Sequence, residues 1–340
     1  MTTLMYQEAM ASPQQVSELL SADSDRYEAL GEALRQAPPT GVVTIARGSS
    51  DHAAAYFAYL VMSRSGQLVT SLPMSLMTLY RAPMAQHRML AVSVSQSGRS
   101  PDLSGPMQAF TQAGATTVAL VNDRLSPLAQ AAAWALPLHA GPERSVAATK
   151  SFICSLVAAA RLTAVWKGYE DLLQALPTLH IALQRASTLD WSTALPVFQN
   201  ASRLLVIGRG PGLAIAQEAA LKFKETCGIQ AEAFSGAEVQ HGPMALVVQG
   251  YPMLIFALRG PAQTGLVQLA AQMRQRGAHV ILAAPSDVSE RDLTLTTTDN
   301  PDLDPIAAIQ SFYKLVEAVA RSRGGDPDQP RHLRKVTATL

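Results

Sequence analysis

Three short segments of this chain recur in the same order at nearly the same spacing, and this repeat restricts the fold more than any other feature. TIARGS from Thr44 matches VIGRGP from Val206 at an offset of 162 residues, MLAVSV from Met89 matches MLIFAL from Met253 at 164, and AGATTV from Ala113 matches RGAHVI from Arg276 at 163. Matches at one period indicate that a single domain has been duplicated in tandem.

The pattern within each half predicts an α/β fold. In the first half, stretches with helical periodicity separate five short apolar runs, which we interpret as strands: Val42–Ala46, Leu68–Leu72, Met89–Val94, Thr116–Val121 and Ala135–His139. Alternation of this kind is typical of a parallel sheet with helices on both faces. We therefore predict a tandem pair of doubly wound, flavodoxin-like domains, each with a ligand crevice at the carboxyl ends of its strands.

Changes in the pattern along the chain predict the domain boundaries. A nearly continuous helical pattern from Val146 to about Arg185, broken near Gly168 and Pro177, links the two halves. We predict a helical segment at 1–36, a first domain at 37–165, a helical bridge at 166–200, a second domain at 201–325 and a C-terminal tail at 326–340.

Composition argues against several classes of function. The net charge is +1 and no run of Lys or Arg occurs, so we expect neither a nucleic-acid partner nor a membrane surface. Cys154 and Cys227 lie in apolar helical contexts and are expected to be buried thiols. The histidines lack metal-ligand spacing, so we expect no metal and no other cofactor. Without a signal peptide or a long apolar run, a cytoplasmic protein is expected.

One helix of the second half carries charges that its apolar surroundings do not explain. The apolar run that ends at Ile207 meets Gly208-Arg-Gly and then a strong helix former, which predicts a strand, a tight turn and a helix. Because a helix advances about 100° per residue, Glu218, Lys222 and Glu225 fall on one stripe. Charges on a buried helix just after a strand favour an active site; a surface helix with an i,i+4 ion pair is the alternative.

A serine-rich turn marks the matching point of the first half. Ser95-Gln-Ser-Gly-Arg-Ser follows the strand that begins at Met89, and a helix begins near Pro101. Hydroxyl groups and the N–H groups of a helix N-terminus favour anions, so this turn suits a phosphate. The matching turn of the second half, Arg259-Gly-Pro-Ala, has no hydroxyl group. A turn that only caps the helix is the alternative.

Four motifs in a fixed order carry a resemblance to a known family. They are SQSGRS from Ser95, PERSVAATKSF from Pro142, the segment from Gly208 that includes EAALKFKE and SGAEVQHGP, and DQPRHLRKVT from Asp328. The tandem halves resemble the sugar isomerase (SIS) fold. The chain as a whole is similar to the isomerase domain of glucosamine-6-phosphate synthase without its glutaminase domain, as in synthase-like glucosamine-6-phosphate deaminases.

The resemblance implies a role for each matched residue. The sugar phosphate would be bound by Ser49, Ser50, Ser95, Gln96, Ser97 and Ser100, with Val146 and Ala148 lining the same pocket. The catalytic set would be Glu225, His241, Lys222, Lys335 and Glu218. Glu225 would carry a proton between C1 and C2, His241 would open the sugar ring, and Lys335 would face the carbonyl carbon. Arg99 stands where the family usually has an acidic residue and is expected to add a positive charge near the phosphate.

The resemblance also implies an assembly. In this family the ring-opening histidine comes from the neighbouring subunit, so we expect a homodimer with His241 donated across its interface. The segment between Glu225 and His241 fits this expectation, since Gly228–Gly236 (GIQAEAFSG) reads as a long apolar loop suited to packing against another chain.

The sequence leaves three functions open. The first cysteine, Cys154, already lies within the α/β core, so we expect no glutamine-hydrolysing domain with its N-terminal cysteine. We therefore expect a glucosamine-6-phosphate deaminase that produces fructose 6-phosphate and ammonia. An aldose–ketose phosphosugar isomerase or a fructosamine-phosphate deglycase is the first alternative. A regulator that only binds sugar phosphates is the alternative from another class.

Overall fold

The computed structural model describes residues 2–83 and 88–335, and its helices and strands alternate along the chain. The N-terminal helices are α1 (Leu4–Met10), α2 (Ser12–Ser21) and α3 (Ser24–Gln36). The first sheet and its helices follow as β1 (Gly41–Ile45), α4 (Ser49–Ser65), β2 (Val69–Ser71), α5 (Ser75–Thr78), β3 (Met89–Ser95), α6 (Pro101–Gln112), β4 (Thr116–Val121), α7 (Pro127–Ala131) and β5 (Trp134–Pro137).

The remaining elements repeat this alternation after a helical stretch. That stretch comprises α8 (Lys150–Lys167), α9 (Glu170–Ala175), α10 (Leu179–Thr188) and α11 (Leu195–Gln199). The second sheet and its helices are β6 (Arg203–Gly208), α12 (Gly212–Cys227), β7 (Gln230–Ser235), β8 (Pro252–Phe256), α13 (Gln263–Gln275), β9 (His279–Ala284), β10 (Leu293–Thr294) and α14 (Asp304–Ser322).

The described strands form two five-stranded sheets with the same topology. The first has the order β2-β1-β3-β4-β5 and the second the order β10-β9-β8-β6-β7, with every pair parallel. Read in reverse, the second order is β7-β6-β8-β9-β10. In that direction β6 corresponds to β1, β7 to β2, and β8, β9 and β10 to β3, β4 and β5. Both are the doubly wound order 2-1-3-4-5. The predicted fold class, a tandem pair of doubly wound parallel-sheet domains, is confirmed.

Chain contacts divide the molecule into two units, each built around one sheet. The first-sheet unit contains Gln14–Glu143, Lys150–Pro177 and the tail residues Arg334 and Lys335. The second-sheet unit contains residues 2–13, Arg144–Thr149 and Thr178–Leu333. The domain boundaries drawn from the sequence stay predictions, and residues 336–340 of the predicted tail lie outside the described residues.

Each unit buries a separate core. In the first-sheet unit, α4 packs against α8, and α3 packs against the same helix. In the second-sheet unit, α12 packs against α14 through Phe223 and Phe312, whose ring centroids are 5.2 Å apart in an edge-to-face arrangement. This packing explains why α12 is apolar on most of its surface. None of the helices in the described part of the chain combines the length and apolar character that a transmembrane span needs.

Two predictions about local structure are wrong. Residues 146–149 are not helical, and α8 begins only at Lys150, because the N–H groups of Ser145 and Val146 are bound by partners distant in sequence. The segment Gly228–Gly236 is not a loop, since residues 230–235 form β7, an edge strand that pairs with β6. All residues of this edge strand except Ala231 are at least partly exposed, so polar residues interrupt the apolar run that marks a buried strand.

Candidate functional site

Helix α12 brings Glu218, Lys222 and Glu225 into one contiguous cluster. The Lys222 Nζ atom contacts Oε2 of Glu225 and lies 3.3 Å from Oε1 of Glu218. Glu218 and Lys222 are fully buried, whereas 21% of the Glu225 side chain remains exposed. Spacings of three and four residues place these side chains on one face of the helix, as the sequence predicted. The hydroxyl of Tyr313 on α14 donates to Glu218 at 3.4 Å, which nothing in the sequence indicated.

The cluster fixes the charge of Lys222. Burial alone would lower the pKa of its ammonium group, but the charges of Glu218 and Glu225 outweigh burial and raise that pKa above its ordinary value of 10.5. Lys222 therefore stays protonated at neutral pH and cannot act as a nucleophile. Its charge stabilises two neighbouring carboxylates, of which only Glu225 is open to solvent. The arrangement suits a proton acceptor supported by a fixed positive charge.

His241 lies apart from this cluster. It follows the short 3₁₀ turn Glu238–Gln240, and its backbone N–H donates to the carbonyl of Glu238 at 2.9 Å. The residue is exposed, and within the described residues no hydrogen bond or ion pair joins its imidazole to the α12 cluster. The segment that follows is also exposed, with Leu246 at 51% and Val248 at 52%. His241 therefore lies on an exposed segment that also carries apolar side chains.

The serine-rich turn lies at the carboxyl end of β3 in the first-sheet unit. The Ser95 hydroxyl accepts the N–H of Gly98 at 3.0 Å, and the Ser97 hydroxyl accepts that of Arg99 at 3.3 Å. Ser100 occupies the N-cap position of α6, yet its side chain makes no capping hydrogen bond. The turn is therefore organised by its first two serines, and it lies at a helix N-terminus where anions are favoured. Gln96, Ser97 and Ser100 are half-buried.

Two arginines near this turn form ion pairs with carboxylates. The Arg99 guanidinium forms an ion pair with Asp123 at 3.0 Å, so its charge is partly neutralised rather than simply added near the phosphate. Ser49 and Ser50 lie in the first turn of α4, after the carboxyl end of β1. Arg47, just before them, pairs with the buried Asp102 of α6 at 2.9 Å. An acidic residue in the first turn of α6 was the sequence signal for this pair.

The remaining predicted residues lie in a loop and in the C-terminal tail. Val146 and Ala148 are half-buried in the irregular loop 144–149, and the N–H of Val146 donates to the carbonyl of Asp328 at 3.1 Å. Lys335 donates to the buried Glu143 at 2.8 Å. Burial would raise the pKa of Glu143, but the adjacent Lys335 charge and the hydrogen bonds from Ser151 lower it instead. Sequence reasoning missed Glu143, which lies within the motif PERSVAATKSF but 192 residues from its partner.

The predicted residues thus form separate groups. Within the second-sheet unit the structure brings together Glu218, Lys222 and Glu225, and leaves His241 outside their contacts. The first-sheet unit holds the serine turn, the first turn of α4 and the Lys335–Glu143 pair. The described residues include no group of three or more His, Cys, Asp or Glu that could hold a metal ion.

Comparison with known proteins identifies relatives across nearly the whole chain. A protein from Silicibacter pomeroyi DSS-3, provisionally named a phosphosugar isomerase, superposes with a TM-score of 0.91 at 40% identity and covers 96% of this chain and 100% of its own. Glucosamine-6-phosphate deaminase from Thermotoga maritima superposes with a TM-score of 0.80 and covers 99% of this chain and 100% of its own. At 19% identity this likeness shows the fold alone.

Curated protein sequences also match most of this chain. Glutamine–fructose-6-phosphate aminotransferase (isomerizing) from a strain of Thermus thermophilus is 31% identical over 323 residues, which are 90% of this chain and 53% of that protein. The chain therefore spans about half the length of this relative. The model of the SIS domain matches residues 36–164 and 197–312, one match for each sheet. With two matched segments that together cover most of its length, this chain belongs to the SIS-domain family.

Proposed function

We propose that this chain is a phosphosugar-processing enzyme, and specifically a glucosamine-6-phosphate deaminase. The observation that carries the proposal is the buried cluster on α12, in which Lys222 is held as a cation between Glu218 and the partly exposed Glu225. A carboxylate of this kind is suited to moving a proton between neighbouring carbons. Membership of the SIS-domain family, together with 40% identity to a protein named a phosphosugar isomerase and 31% identity to glutamine–fructose-6-phosphate aminotransferase, supports the choice of substrate class.

The proposed reaction converts glucosamine 6-phosphate and water into fructose 6-phosphate and ammonia. After ring opening, Glu225 takes the proton from C2, which gives an enolamine, and returns it to C1, which gives an imine at C2. Water then adds to the imine carbon, and ammonia leaves as the carbonyl forms. The serine turn at Ser95–Ser100 would bind the phosphate, His241 would assist ring opening, and Lys335 would face the carbonyl carbon.

The direct test is ammonia release by the purified protein supplied with glucosamine 6-phosphate. We expect turnover in the wild type and a loss of about 10²- to 10⁴-fold in Glu225→Gln, because the general base is removed while the side-chain size is kept. The matched control is Glu290→Gln, which changes an exposed glutamate distant in sequence from every proposed site residue and should retain wild-type activity.

The same assay separates the alternatives. Interconversion of unaminated hexose phosphates without ammonia release would identify an aldose–ketose isomerase, which uses the same C1–C2 proton transfer. Ammonia or amine release from fructosamine phosphates alone would identify a deglycase. Binding of a sugar phosphate with no turnover of any substrate would show a regulator and contradict the proposal.

A further inference from the structure

The loop 144–149 contains two of the residues proposed to contact the sugar, yet it has no regular structure of its own. It precedes α8, and both Val146 and Ala148 are only half-buried. A loop that is neither helix nor strand must find hydrogen-bond partners for its backbone N–H groups elsewhere. The identity of these partners decides how firmly the two side chains are held.

Glu8 supplies the first of these partners. Its carboxylate accepts the N–H of Arg144 through Oε1 at 2.5 Å and the N–H of Ser145 through Oε2 at 3.2 Å. Glu8 is only 8% exposed, so both contacts are made away from bulk water. Hydrogen bonds to a charged acceptor in such surroundings are stronger than those between neutral groups. The next N–H along the loop, that of Val146, is bound by the backbone carbonyl of Asp328.

Helix α1, which carries Glu8, is itself held in place by distant residues. The Asp328 carboxylate accepts the N–H groups of Leu4 at 2.8 Å and Met5 at 2.7 Å, at the start of the helix. Thr3 caps the same end and donates its hydroxyl to Glu317 of α14 at 2.8 Å. A seven-residue helix is too short to be stable alone in water. Its position, and therefore that of Glu8, depends on these contacts.

We propose that Glu8 is a positioning residue for substrate binding: it fixes the loop 144–149 so that Val146 and Ala148 keep the conformation that binds the sugar. The inference rests on the proposed function, because it takes these two loop residues as substrate contacts. It also assigns a functional role to a residue that precedes the first segment matched by the SIS-domain model, which begins at residue 36.

The test is the substitution Glu8→Gln in the full chain. It keeps the side-chain length, removes the charge and replaces one carboxylate oxygen, a hydrogen-bond acceptor, with an NH2 group that can only donate. We expect KM for the sugar phosphate to rise about tenfold with kcat changed less than about twofold, because binding rather than chemistry is disturbed. Hydrogen exchange at the amides of residues 144–146 should become faster in the same variant. The matched control, Glu18→Gln, changes an exposed glutamate of α2 and should leave both measurements unchanged.

A purely structural role would give a different result. Loss of folded enzyme would lower kcat at an unchanged KM, and this outcome would overturn the inference, as would wild-type KM together with wild-type exchange. If Glu8→Gln does not fold, Glu8→Asp, which keeps the charge but shortens the side chain, should show the same rise in KM, and wild-type KM in that variant would overturn the inference.

Binding of sugar phosphate, measured by calorimetry, separates this inference from the proposed function. A wild-type protein that neither binds nor converts any sugar phosphate would refute both. A wild type that binds, with Glu8→Gln binding equally well, would refute only the role of Glu8.

Discussion

At the scale of single residues, the stability of the fold depends on Lys222, because its buried ammonium group faces two carboxylates. Replacing it by methionine keeps the bulk and removes the charge. We expect Lys222→Met to lower the free energy of unfolding by about 3 to 5 kcal/mol, the usual effect of leaving buried charges without their partner. Denaturant unfolding of the purified variant measures this loss.

A second substitution distinguishes lost charge from lost packing. In the double variant Glu218→Gln/Lys222→Met, one of the two facing charges is gone as well, so part of the lost stability should return. A double variant that is as unstable as the sum of the two single variants would show that packing, not charge balance, determines the stability of this cluster.

The sequence predicted which of these residues lie on one face, because helical spacing alone determines that. It could not predict that Tyr313 donates to Glu218, or that Glu143 binds Lys335, since these partners are 95 and 192 residues apart. Periodicity reports contacts within an element, whereas contacts between elements depend on how the elements pack.

At the scale of single elements, the turn between β3 and α6 has little room for change. Gly98 has a φ of +62°, and a Cβ at this position would lie 2.1 Å from the Ser126 hydroxyl oxygen. We expect Gly98→Ala to cost about 1 to 3 kcal/mol of stability through backbone strain and crowding, and to weaken sugar-phosphate binding. Thermal unfolding and calorimetric titration measure the two effects.

Helix α6 itself offers the matched control for this turn. A Cβ on Gly105 would meet nothing within 4 Å, so Gly105→Ala should leave binding unchanged and stabilise the protein by up to about 1 kcal/mol. Equal binding by the Gly98 and Gly105 variants would mean that the serine turn does not bind the phosphate.

The C-terminal tail is attached by an ion pair whose effect depends on pH. The folded-state pKa of Glu143 is lowered from the ordinary value of 4.5, so its stabilisation is present above about pH 4.5 and is lost as the pH falls through the lower folded-state pKa. Glu143→Gln should therefore cost about 1.5 to 3 kcal/mol at neutral pH, with the difference from wild type shrinking in acid. Urea unfolding at a series of pH values measures it.

The control for this pH dependence is Glu32→Gln, at an exposed position of α3 in the same unit and outside the first and last turns of that helix. Its stability difference from wild type should stay near zero throughout. A Glu143→Gln difference that does not shrink below the ordinary glutamate pKa of 4.5 would show that the carboxylate charge is not what holds Lys335.

Elements differed in how well the sequence predicted them. The strands β1, β3, β4 and β6 were recognised to within about one residue because they are short, apolar and buried on both faces. The edge strand β7 was missed because partial exposure mixes polar residues into it, and β10 has only two residues. The loop before α8 was assigned to a helix because helical propensity depends on local sequence. It cannot account for the distant Glu8 carboxylate, which binds the N–H groups of Arg144 and Ser145.

For the molecule as a whole, the exposed position of His241 leads to a prediction about assembly. We predict that Glu225 and His241 act from different subunits of a two-fold homodimer, in which each subunit lends its histidine to the other. The exposure of His241, Leu246 and Val248, together with the edge strand β7, supports a second copy binding here.

Mixing two inactive variants tests this prediction. When Glu225→Gln and His241→Asn proteins exchange subunits in equal amounts, about half of the dimers are mixed, and each mixed dimer has one intact site. About a quarter of wild-type activity should therefore return. Exchange is verified separately, by mass spectrometry of dimers in which one variant carries heavy isotopes. Background activity after verified exchange would place both residues in the same subunit.

The shared sheet order has a consequence for how such a chain evolves. After a gene duplication, one copy is free to change while the other keeps the ancestral task. At the offset of 162, the positions of Glu218, Lys222 and Glu225 are occupied in the first copy by Tyr56, Leu60 and Ser63, while the second copy lacks the serines after its third strand. Each copy thus carries residues that the other does not. Under the proposed function both sets are needed for one reaction, so a substitution that inactivates either half should abolish the activity.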